Sequence, residues 1–388
     1  MQIYNAIIIG AGAAGLTAAR FCGADTLVVD GNSGPGKKIL VTGGGNCNFS
    51  NASVGAGDYV SQNPHFCKSA LAGFTPADFL KLLTKHNIKW EEREQGKYFA
   101  FNAKYILDML VAEAQAAGAQ FLYNAKIYGV EKDGDIFTVK TAGKDLRARV
   151  VIVACGGLSG VKLGASGLAY DIAKSFGLNV VEPYPALTPF LWGAAEQEKF
   201  GALSGVSLPA EIKLDRIKIK DDLLFTHYGI SGPAALQMSL YTKGAEELKI
   251  NFLPGIDAAA LLDQGRKTNK TFVKIAESVL PASLAKILLS ETDVQAANAT
   301  KEVCAAVINK LTAFTFTPQL NASYLKAEIT AGGVDTRELS SSTMECRKVP
   351  GLYFAGECLD VSGRLGGYNL HWAWASGAAA GKAIAQKF

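Results

Sequence analysis

The amino-acid sequence predicts an α/β protein in which one domain is interrupted by an inserted segment. Three observations support this fold class. A strand, a glycine-rich turn, a helix and a second strand follow one another in residues 4–30, and prolines cluster at 183, 185 and 189. Residues 352–386 then return to the glycine-rich strand-and-helix pattern of the start. Because a chain of 388 residues is too long for one core, we expect more than one domain.

The elements follow from periodicity and from start signals. The apolar pattern predicts a strand at 4–9, a helix at 13–22 and a strand at 26–30. Thr75 and Pro76 predict the start of a helix that runs to about residue 86, and Asn102 predicts another that runs to 118. Residues 121–154 read as strands, and the last helix is expected at about 369–386.

The proline cluster and the change of pattern divide the chain into four parts. Residues 1–186 are predicted to form the first part of the main domain, and residues 325–388 its second part. Between them we predict a β-rich subdomain at 187–253 and a helical subdomain at 254–324.

Composition and charge exclude several classes of protein. Hydrophobic residues make up 49% of the chain and charged residues 19%, which is typical of a globular protein. The net charge is only +4 and the basic residues are scattered, so we expect a small-molecule substrate and no nucleic-acid partner. Seven cysteines without a C-x-x-C pair indicate reduced thiols and a cytoplasmic protein. No apolar run is long enough for a membrane span, and no metal site is predicted.

The strongest local motif is Gly10-x-Gly12-x-x-Gly15, which lies between a predicted strand and a predicted helix. Gly10 permits a tight turn, Gly12 lets a diphosphate approach the backbone, and Gly15 allows the helix to pack closely on the strand. Asp30 is the last residue of the second predicted strand, where an acid can bind ribose hydroxyls. The combination predicts a Rossmann-like dinucleotide site, and the motif alone leaves NAD and FAD as alternatives.

The C-terminal sequence favours FAD. An apolar strand precedes Gly356-Glu357, whose acid is placed to bind the ribityl chain of a flavin. Gly366, Gly367 and Tyr368 then open a helix whose N-terminal amides can face the flavin ring and stabilise its anionic reduced form.

Five stretches together resemble one group of proteins. They are IIIGAGAAG, GKKILVTGGGNCNFSN, VIVACGGLS, LLFTHYGISGPAALQMS and the long segment from ITAGGVDTREL to GRLGGYN. In order and spacing they resemble the BaiN/RdsA-like group of bacterial NAD(P)/FAD-dependent oxidoreductases, over nearly the whole chain. The resemblance implies a Rossmann-like FAD-binding domain interrupted by a β-rich and a helical subdomain.

The resemblance also implies which residues contact FAD. Lys38 and the loop from Thr42 to Asn48 would lie along the diphosphate and the flavin, and Ile127 would contact adenine through its backbone. Asn46 and Cys155 depart from the group, in which arginine and threonine are commoner at these positions. The full predicted cofactor set comprises Gly10, Ala11, Gly12, Ala14, Gly15, Asp30, Gly31, Lys37, Lys38, Thr42, Gly43, Gly44, Gly45, Asn46, Cys47, Asn48, Ile127, Ala154, Cys155, Gly156, Gly157, Gly356, Glu357, Gly366, Gly367, Tyr368, Asn369 and Leu370.

The group's best-described activity implies a reductase that passes a hydride from NAD(P)H through FAD to an unsaturated or conjugated carbonyl compound. His227 is the predicted proton donor, with Tyr368 as the alternative. Cys47 could act in redox chemistry or simply pack. No second glycine motif with a trailing acid is present, so NAD(P)H is expected to dock transiently. A flavin oxidase or dehydrogenase, a flavin-dependent RNA-modifying protein and a flavin redox sensor remain alternatives.

Overall fold

The computed structural model describes residues 2–242, 244 and 246–388. They form two compact units: Met1–Pro185 together with Ser323–Phe388, and Ala186–Ala322. The predicted finer division of the inserted segment at residue 253 stays a prediction. In the part of the chain that the structure describes, no helix is both long and apolar enough to cross a bilayer.

The first unit begins with eleven strands and six helices. The strands are β1 Ile3–Ile9, β2 Thr26–Val29, β3 Asn48–Asn51, β4 Tyr59–Val60, β5 Trp90–Arg93, β6 Lys97–Ala100, β7 Gln120–Leu122, β8 Ile127–Asp133, β9 Ile136–Thr141, β10 Leu146–Val153 and β11 Val180–Ala186. The helices are α1 Ala13–Cys22, α2 Lys37–Val41, α3 Lys68–Gly73, α4 Pro76–Lys85, α5 Ala103–Ala116 and α6 Leu168–Ser175.

The second unit contains strands β12 Phe190–Leu191, β13 Ser207–Leu214, β14 Ile217–Thr226, β15 Gly229–Ser231, β16 Leu248–Asn251, β17 Phe314–Phe316 and β18 Gln319–Leu320. Its helices are α7 Ala194–Phe200, α8 Gly232–Met238, α9 Ala258–Arg266, α10 Phe272–Ala276, α11 Ala282–Leu289 and α12 Lys301–Thr312. The chain then returns to the first unit with β19 Ile329–Val334, β20 Leu352–Phe354, β21 Ser362–Gly363 and α13 Tyr368–Ala385.

The central sheet of the first unit has the order β7-β2-β1-β10-β9-β8, and β20 also pairs with β10. Strands β7, β2, β1, β10 and β20 run parallel to one another, whereas β9 pairs antiparallel with both β10 and β8. Parallel strands are covered on both faces, which explains why the last four residues of β1 are all apolar and at most 1% exposed. The α/β fold class and the opening strand-helix-strand unit are confirmed.

Start signals in the sequence place two helices correctly. Thr75 accepts a hydrogen bond from the Asp78 amide while Asp78 accepts from the Thr75 amide, so a capping box begins α4. Asn102 caps α5 through the Lys104 amide.

The inserted unit is built on one seven-stranded antiparallel sheet of order β17-β16-β13-β14-β15-β12-β18. Two of its strands, β17 and β18, follow the last helix of the unit and return to the sheet. Pro183 and Pro185 were expected to break the chain, but both lie in β11, which pairs with β19 in a two-stranded sheet. Proline is tolerated there because a strand at a sheet edge does not need every amide for pairing.

Candidate functional site

Four parallel strands end at the same level on one edge of the central sheet. Val29 is in register with Ile9, Ile9 with Val153, and Val153 with Phe354. The residues that follow these positions are Asp30, Gly10, Ala154 and Ala355. In an open α/β sheet, ligands bind beyond the carboxyl ends of the strands. The register therefore brings the two glycine motifs to the same edge of one sheet. Gly10 and Gly356 are 346 residues apart in the sequence.

The three motif glycines differ in what surrounds them. Gly10 has φ of 108°, and a Cβ there would lie 2.5 Å from the Ala154 carbonyl oxygen. A Cβ on Gly15 would overlap the carbonyl oxygen of Gly10, so both positions require glycine for packing. Gly12 has no protein atom within 4 Å of its Cβ position. Its open backbone, at the N-terminus of α1, leaves room for an anionic ligand.

Asp30 connects the glycine turn to the end of β2. Its Oδ2 accepts a hydrogen bond from the Ala11 amide at 2.8 Å, and its Oδ1 accepts one from the Asn32 amide at 2.8 Å. A carboxylate oxygen can accept more than one hydrogen bond, so both oxygens keep acceptor capacity for hydroxyl groups. The side chain is only partly buried.

The loop that follows α2 is rich in left-handed backbone. Gly43, Gly44 and Gly45 have φ of 57°, 67° and 92° in the turn Thr42–Gly45. Gly43 packs against Phe99, whereas no protein atom lies within 4 Å of the Cβ positions of Gly44 and Gly45. Cys47 is fully buried, and burial raises the pKa of its thiol to about 12. A neutral, inaccessible thiol favours packing over redox chemistry for this residue.

Lys38 and Glu357 form an ion pair at the centre of a polar cluster. Lys38 Nζ also donates to Ser159 Oγ at 2.8 Å, and Ser159 Oγ donates to Glu357 Oε1 at 2.6 Å. The same Glu357 oxygen accepts from the Thr330 amide at 2.9 Å. Lys38 and Glu357 were predicted from sequence. Ser159 and Thr330 lie in two of the stretches that carry the resemblance, but they were missed because nothing in the local sequence shows that both contact Glu357.

Strand β3 holds the loop that begins α13. Asn51 Nδ2 donates to the Gly366 carbonyl at 3.2 Å, and the oriented amide of Asn48 accepts from the Gly367 amide at 3.1 Å. Gly367 has φ of 93° and packs against the Ser50 carbonyl, so a side chain would not fit there. Hydrogen bonds and packing from β3 therefore fix the predicted residues Gly366 and Gly367, and the sequence did not reveal this role of β3.

His371, one turn into α13, completes this arrangement. Its Nδ1 lies 2.9 Å from Ser50 Oγ and its Nε2 lies 3.1 Å from the Phe74 carbonyl. A carbonyl can only accept, so Nε2 carries the proton and Nδ1 accepts from the Ser50 hydroxyl. Burial lowers the pKa of His371 to about 4, which keeps the ring neutral near pH 7. Its role is to fix α13 against β3.

Four further predicted residues lie in two places. Gly156, Gly157 and Ile127 lie near the end of β10 and the start of β8, and Gly157 is packed against the Thr330 side chain. The amide of Asn369 is engaged by the backbone of Gly363 at 2.8 Å and 2.9 Å, so it holds β21.

His227 lies in the second unit, in the turn between β14 and β15. Its ring is exposed, and the ring of Tyr228 lies 6.5 Å away between centroids. Its catalytic role stays a prediction.

The residues at this edge of the sheet fit a dinucleotide cofactor. The Cβ positions of Gly12, Gly44, Gly45 and Gly156 have no protein atom within 4 Å, and three of these glycines have positive φ. All four glycines lie in loops near the edge of the sheet where Asp30 and Glu357 are found. Open backbone beside the Asp30 carboxylate and a helix N-terminus is an arrangement that suits a dinucleotide such as FAD.

Comparisons with known proteins identify relatives along the whole chain. The HI0933-like protein Rossmann domain family matches residues 4–383. A ribosomal RNA dihydrouridine synthase of Escherichia coli is 42% identical, over 97% of this chain and 96% of the relative. The protein of the same name from Haemophilus influenzae is 41% identical over the full length of both chains. A 3-dehydro-bile acid delta(4,6)-reductase of Clostridium scindens is 29% identical over 98% of each.

Solved structures support the same fold. The quinol fumarate reductase FrdA of Escherichia coli superposes with a TM-score of 0.51 at 15% identity, covering 100% of this chain and 71% of that one. A 3-ketosteroid-delta4-(5alpha)-dehydrogenase from Rhodococcus jostii gives 0.50 at 15% identity, covering 98% of this chain and 96% of that one.

The prediction that nucleic acid is not a partner is wrong. It is overturned by the two relatives above 40% identity, whose names specify ribosomal RNA. The prediction rested on a net charge of +4. Net charge averages over the whole surface and does not report the character of one face, whereas an RNA-modifying enzyme needs suitable contacts only around its site. The family, the fold and the site geometry agree: the chain belongs to the HI0933-like Rossmann domain family of flavoprotein oxidoreductases.

Proposed function

We propose that this chain reduces the C5=C6 double bond of a uridine in ribosomal RNA, with FAD as cofactor and NAD(P)H as electron donor. The observation that carries the proposal is full-length similarity, at 42% and 41% identity, to two proteins named ribosomal RNA dihydrouridine synthase.

The chemistry agrees with the type of bond that the family resemblance implies. The C5=C6 bond of uracil is conjugated to the C4 carbonyl, so the base is a conjugated carbonyl compound. Hydride addition at C6 places negative charge on C5 and the C4 oxygen, and a proton then adds at C5. Each dihydrouridine consumes one NAD(P)H and one proton and releases one NAD(P)⁺. FAD, when bound, supplies the hydride-transfer chemistry that no amino-acid side chain offers.

The first unit supplies the groups that would hold the cofactor. The open backbone at Gly12 and the N-terminus of α1 would receive the diphosphate, and Asp30 would accept hydrogen bonds from the ribose. Lys38 and Glu357, fixed to each other, would lie beside the ribityl chain. The α13 N-terminus, which β3 and His371 hold, would direct its amides toward the flavin ring.

A second candidate function is reduction of an unsaturated steroid. It is favoured by the full-length relative named 3-dehydro-bile acid delta(4,6)-reductase, but that relative is only 29% identical. In both reactions a hydride adds to a double bond conjugated with a carbonyl group. The two candidate functions therefore differ in the substrate and not in the type of reaction.

Deleting the gene in its host tests the proposal. Ribosomal RNA from the deletion strain should lack one dihydrouridine residue that nucleoside mass spectrometry detects in the parent. A plasmid copy of the gene should restore it. Identical dihydrouridine content in parent and deletion strains would overturn the proposal.

A further inference from the structure

Two segments of the first unit expose large apolar side chains beside each other. Leu40 and Val41 end α2 and are 39% and 54% exposed, and Phe101 and Tyr105 flank the start of α5 and are 54% and 53% exposed. Helix α5 packs against α2 and against the turn Thr42–Gly45. We call these four residues the aromatic patch. Contiguous exposed apolar surface commonly marks a binding site.

The aromatic patch lies at the sheet edge that holds the candidate cofactor site. Helix α5 leads into β7, which runs parallel to β2, so the start of α5 is at the end where β2 delivers Asp30. Phe99, two residues before Phe101, lies against Gly43 with ring Cε1 2.8 Å from the Cβ position. The patch is therefore continuous with the loop that is expected to contact the flavin.

Two of the four residues of the patch, Phe101 and Tyr105, expose aromatic rings. Next to the patch in the chain, the Arg93 guanidinium lies 4.1 Å from the centroid of Phe99. Lys104 borders Tyr105 and is paired with Asp108 at 2.6 Å, and Arg93 is paired with Glu91 at 2.5 Å. Since these cations are partly neutralised, phosphate attraction alone would be weak here. Exposed rings are instead the surface on which unpaired bases stack.

We propose that Phe101 and Tyr105 stack unpaired bases of the RNA next to the reacting uridine. The inference rests on the proposed function, because it takes ribosomal RNA as the substrate. An enzyme that acts on a base must take it out of the stack, so the neighbouring nucleotides are also unpaired. Rings beside the cofactor loop would hold those neighbours and present the uridine to the site.

Replacing each ring by leucine keeps the surface apolar and removes stacking. The experiment measures the Kd of unmodified ribosomal RNA transcripts and the kcat and KM for dihydrouridine formation, using Phe101→Leu, Tyr105→Leu and Tyr105→Phe. Tyr128→Leu is the matched control, because Tyr128 is a 58% exposed ring on β8 of the same unit. FAD content and circular dichroism identify any variant that fails to fold. Tyr105→Phe keeps the ring and removes only the hydroxyl group, so it separates the loss of stacking from a general effect of substitution at this position.

We expect Kd and KM to rise about 5- to 150-fold in the two leucine variants of the patch, with kcat retained at saturating RNA. Tyr105→Phe and Tyr128→Leu should match the wild type. Wild-type affinity in both patch leucine variants would overturn the inference. If the wild-type protein forms no dihydrouridine in any ribosomal RNA, the proposed function fails instead.

Discussion

Asp30 is the single side chain on which FAD affinity should depend most. The Asp30 carboxylate accepts hydrogen bonds from two backbone amides, so in Asp30→Asn the side-chain NH2 group would face one of these donors. The charge-assisted bonds that we expect Asp30 to accept from ribose would also be lost. Hydrogen bonds to charged groups contribute about 1.5 to 3 kcal/mol, so we expect FAD to bind about 10- to 150-fold more weakly. Fluorescence titration of the apoprotein measures this. Asp25→Asn, a matched change at the other end of β2, should have no effect, and equal affinities in the two variants would remove Asp30 from the site.

Glu113 on α5 joins three elements through one buried carboxylate. It accepts from Arg20 at 2.7 Å, Lys85 at 2.6 Å and His86 at 2.7 Å. Burial alone would raise its pKa, but the bonds from Lys85, His86 and Arg20 outweigh burial and lower the pKa to about 2. Because the unfolded pKa is about 4.3, the carboxylate stabilises the fold fully above that pH and loses its contribution as pH falls toward 2.

Glu113→Gln should therefore reduce the free energy of unfolding by up to about 3 kcal/mol at pH 7. The difference from wild type should shrink as the pH is lowered below about 4.3. Urea denaturation at a series of pH values measures it, and Asp108→Asn, an exposed paired acid on the same helix, is the control with an expected change under about 1 kcal/mol. A pH-independent difference would show that charge is not the cause.

His227 is the sequence-based candidate for protonating C5 of the base. If it donates the proton, His227→Ala should slow reoxidation of the reduced flavin by RNA by about 10²- to 10⁴-fold while reduction by NAD(P)H continues at the wild-type rate. Stopped-flow measurement of the two half-reactions separates these effects. If the variant matches the wild-type rate in both half-reactions, His227 is not the proton donor and Tyr368 is the remaining candidate.

At this scale, sequence predicts residues whose role follows from local pattern. Gly10, Gly12 and Asp30 could be predicted as site residues because spacing along one βαβ unit sets their positions. Ser50, Asn51 and His371 were missed, because their partners lie hundreds of positions away in the chain: the Ser50–His371 bond spans 321 residues. A side chain whose function is to fix another element carries no local signal.

Helices α1 and α13 pack through glycine. A Cβ on Gly377 would overlap the Ala14 carbonyl oxygen, and one on Gly381 would overlap that of Ala18. Gly377→Ala should push α13 away from α1 and cost about 1 to 3 kcal/mol of unfolding free energy. Urea denaturation measures the loss. Gly73→Ala, at the open end of α3 where nothing lies within 4 Å, should be neutral or slightly stabilising, and equal stability of the two variants would contradict close packing at Gly377.

At the scale of elements, periodicity and capping signals predicted α1, α4, α5, α13 and the strands of the central sheet. The two-stranded sheet that contains Pro183 and Pro185 was not predicted. Proline breaks a central strand but is tolerated in an edge strand. The sequence alone does not show whether a strand will be central or at an edge. The return of β17 and β18 to the sheet of the second unit depends on pairing between distant segments in the same way.

For the whole molecule, the fold was predictable and the substrate was not. Parallel strands bring the glycine motifs near both ends of the chain to the same edge of the central sheet, where the cofactor site is predicted. Net charge misdirected the prediction about RNA. An aromatic surface beside the site is compatible with a nearly neutral chain, since stacking needs exposed rings more than excess charge.

Reoxidation of the reduced flavoprotein by ribosomal RNA tests most directly whether the chain is a uridine reductase. The protein is reduced anaerobically with NAD(P)H, freed of excess donor and mixed with unmodified ribosomal RNA transcripts. We expect the absorbance of oxidised flavin to return, with one dihydrouridine formed for each FAD reoxidised. Return of the absorbance with an unsaturated 3-oxo steroid, and none with RNA, would contradict the assignment.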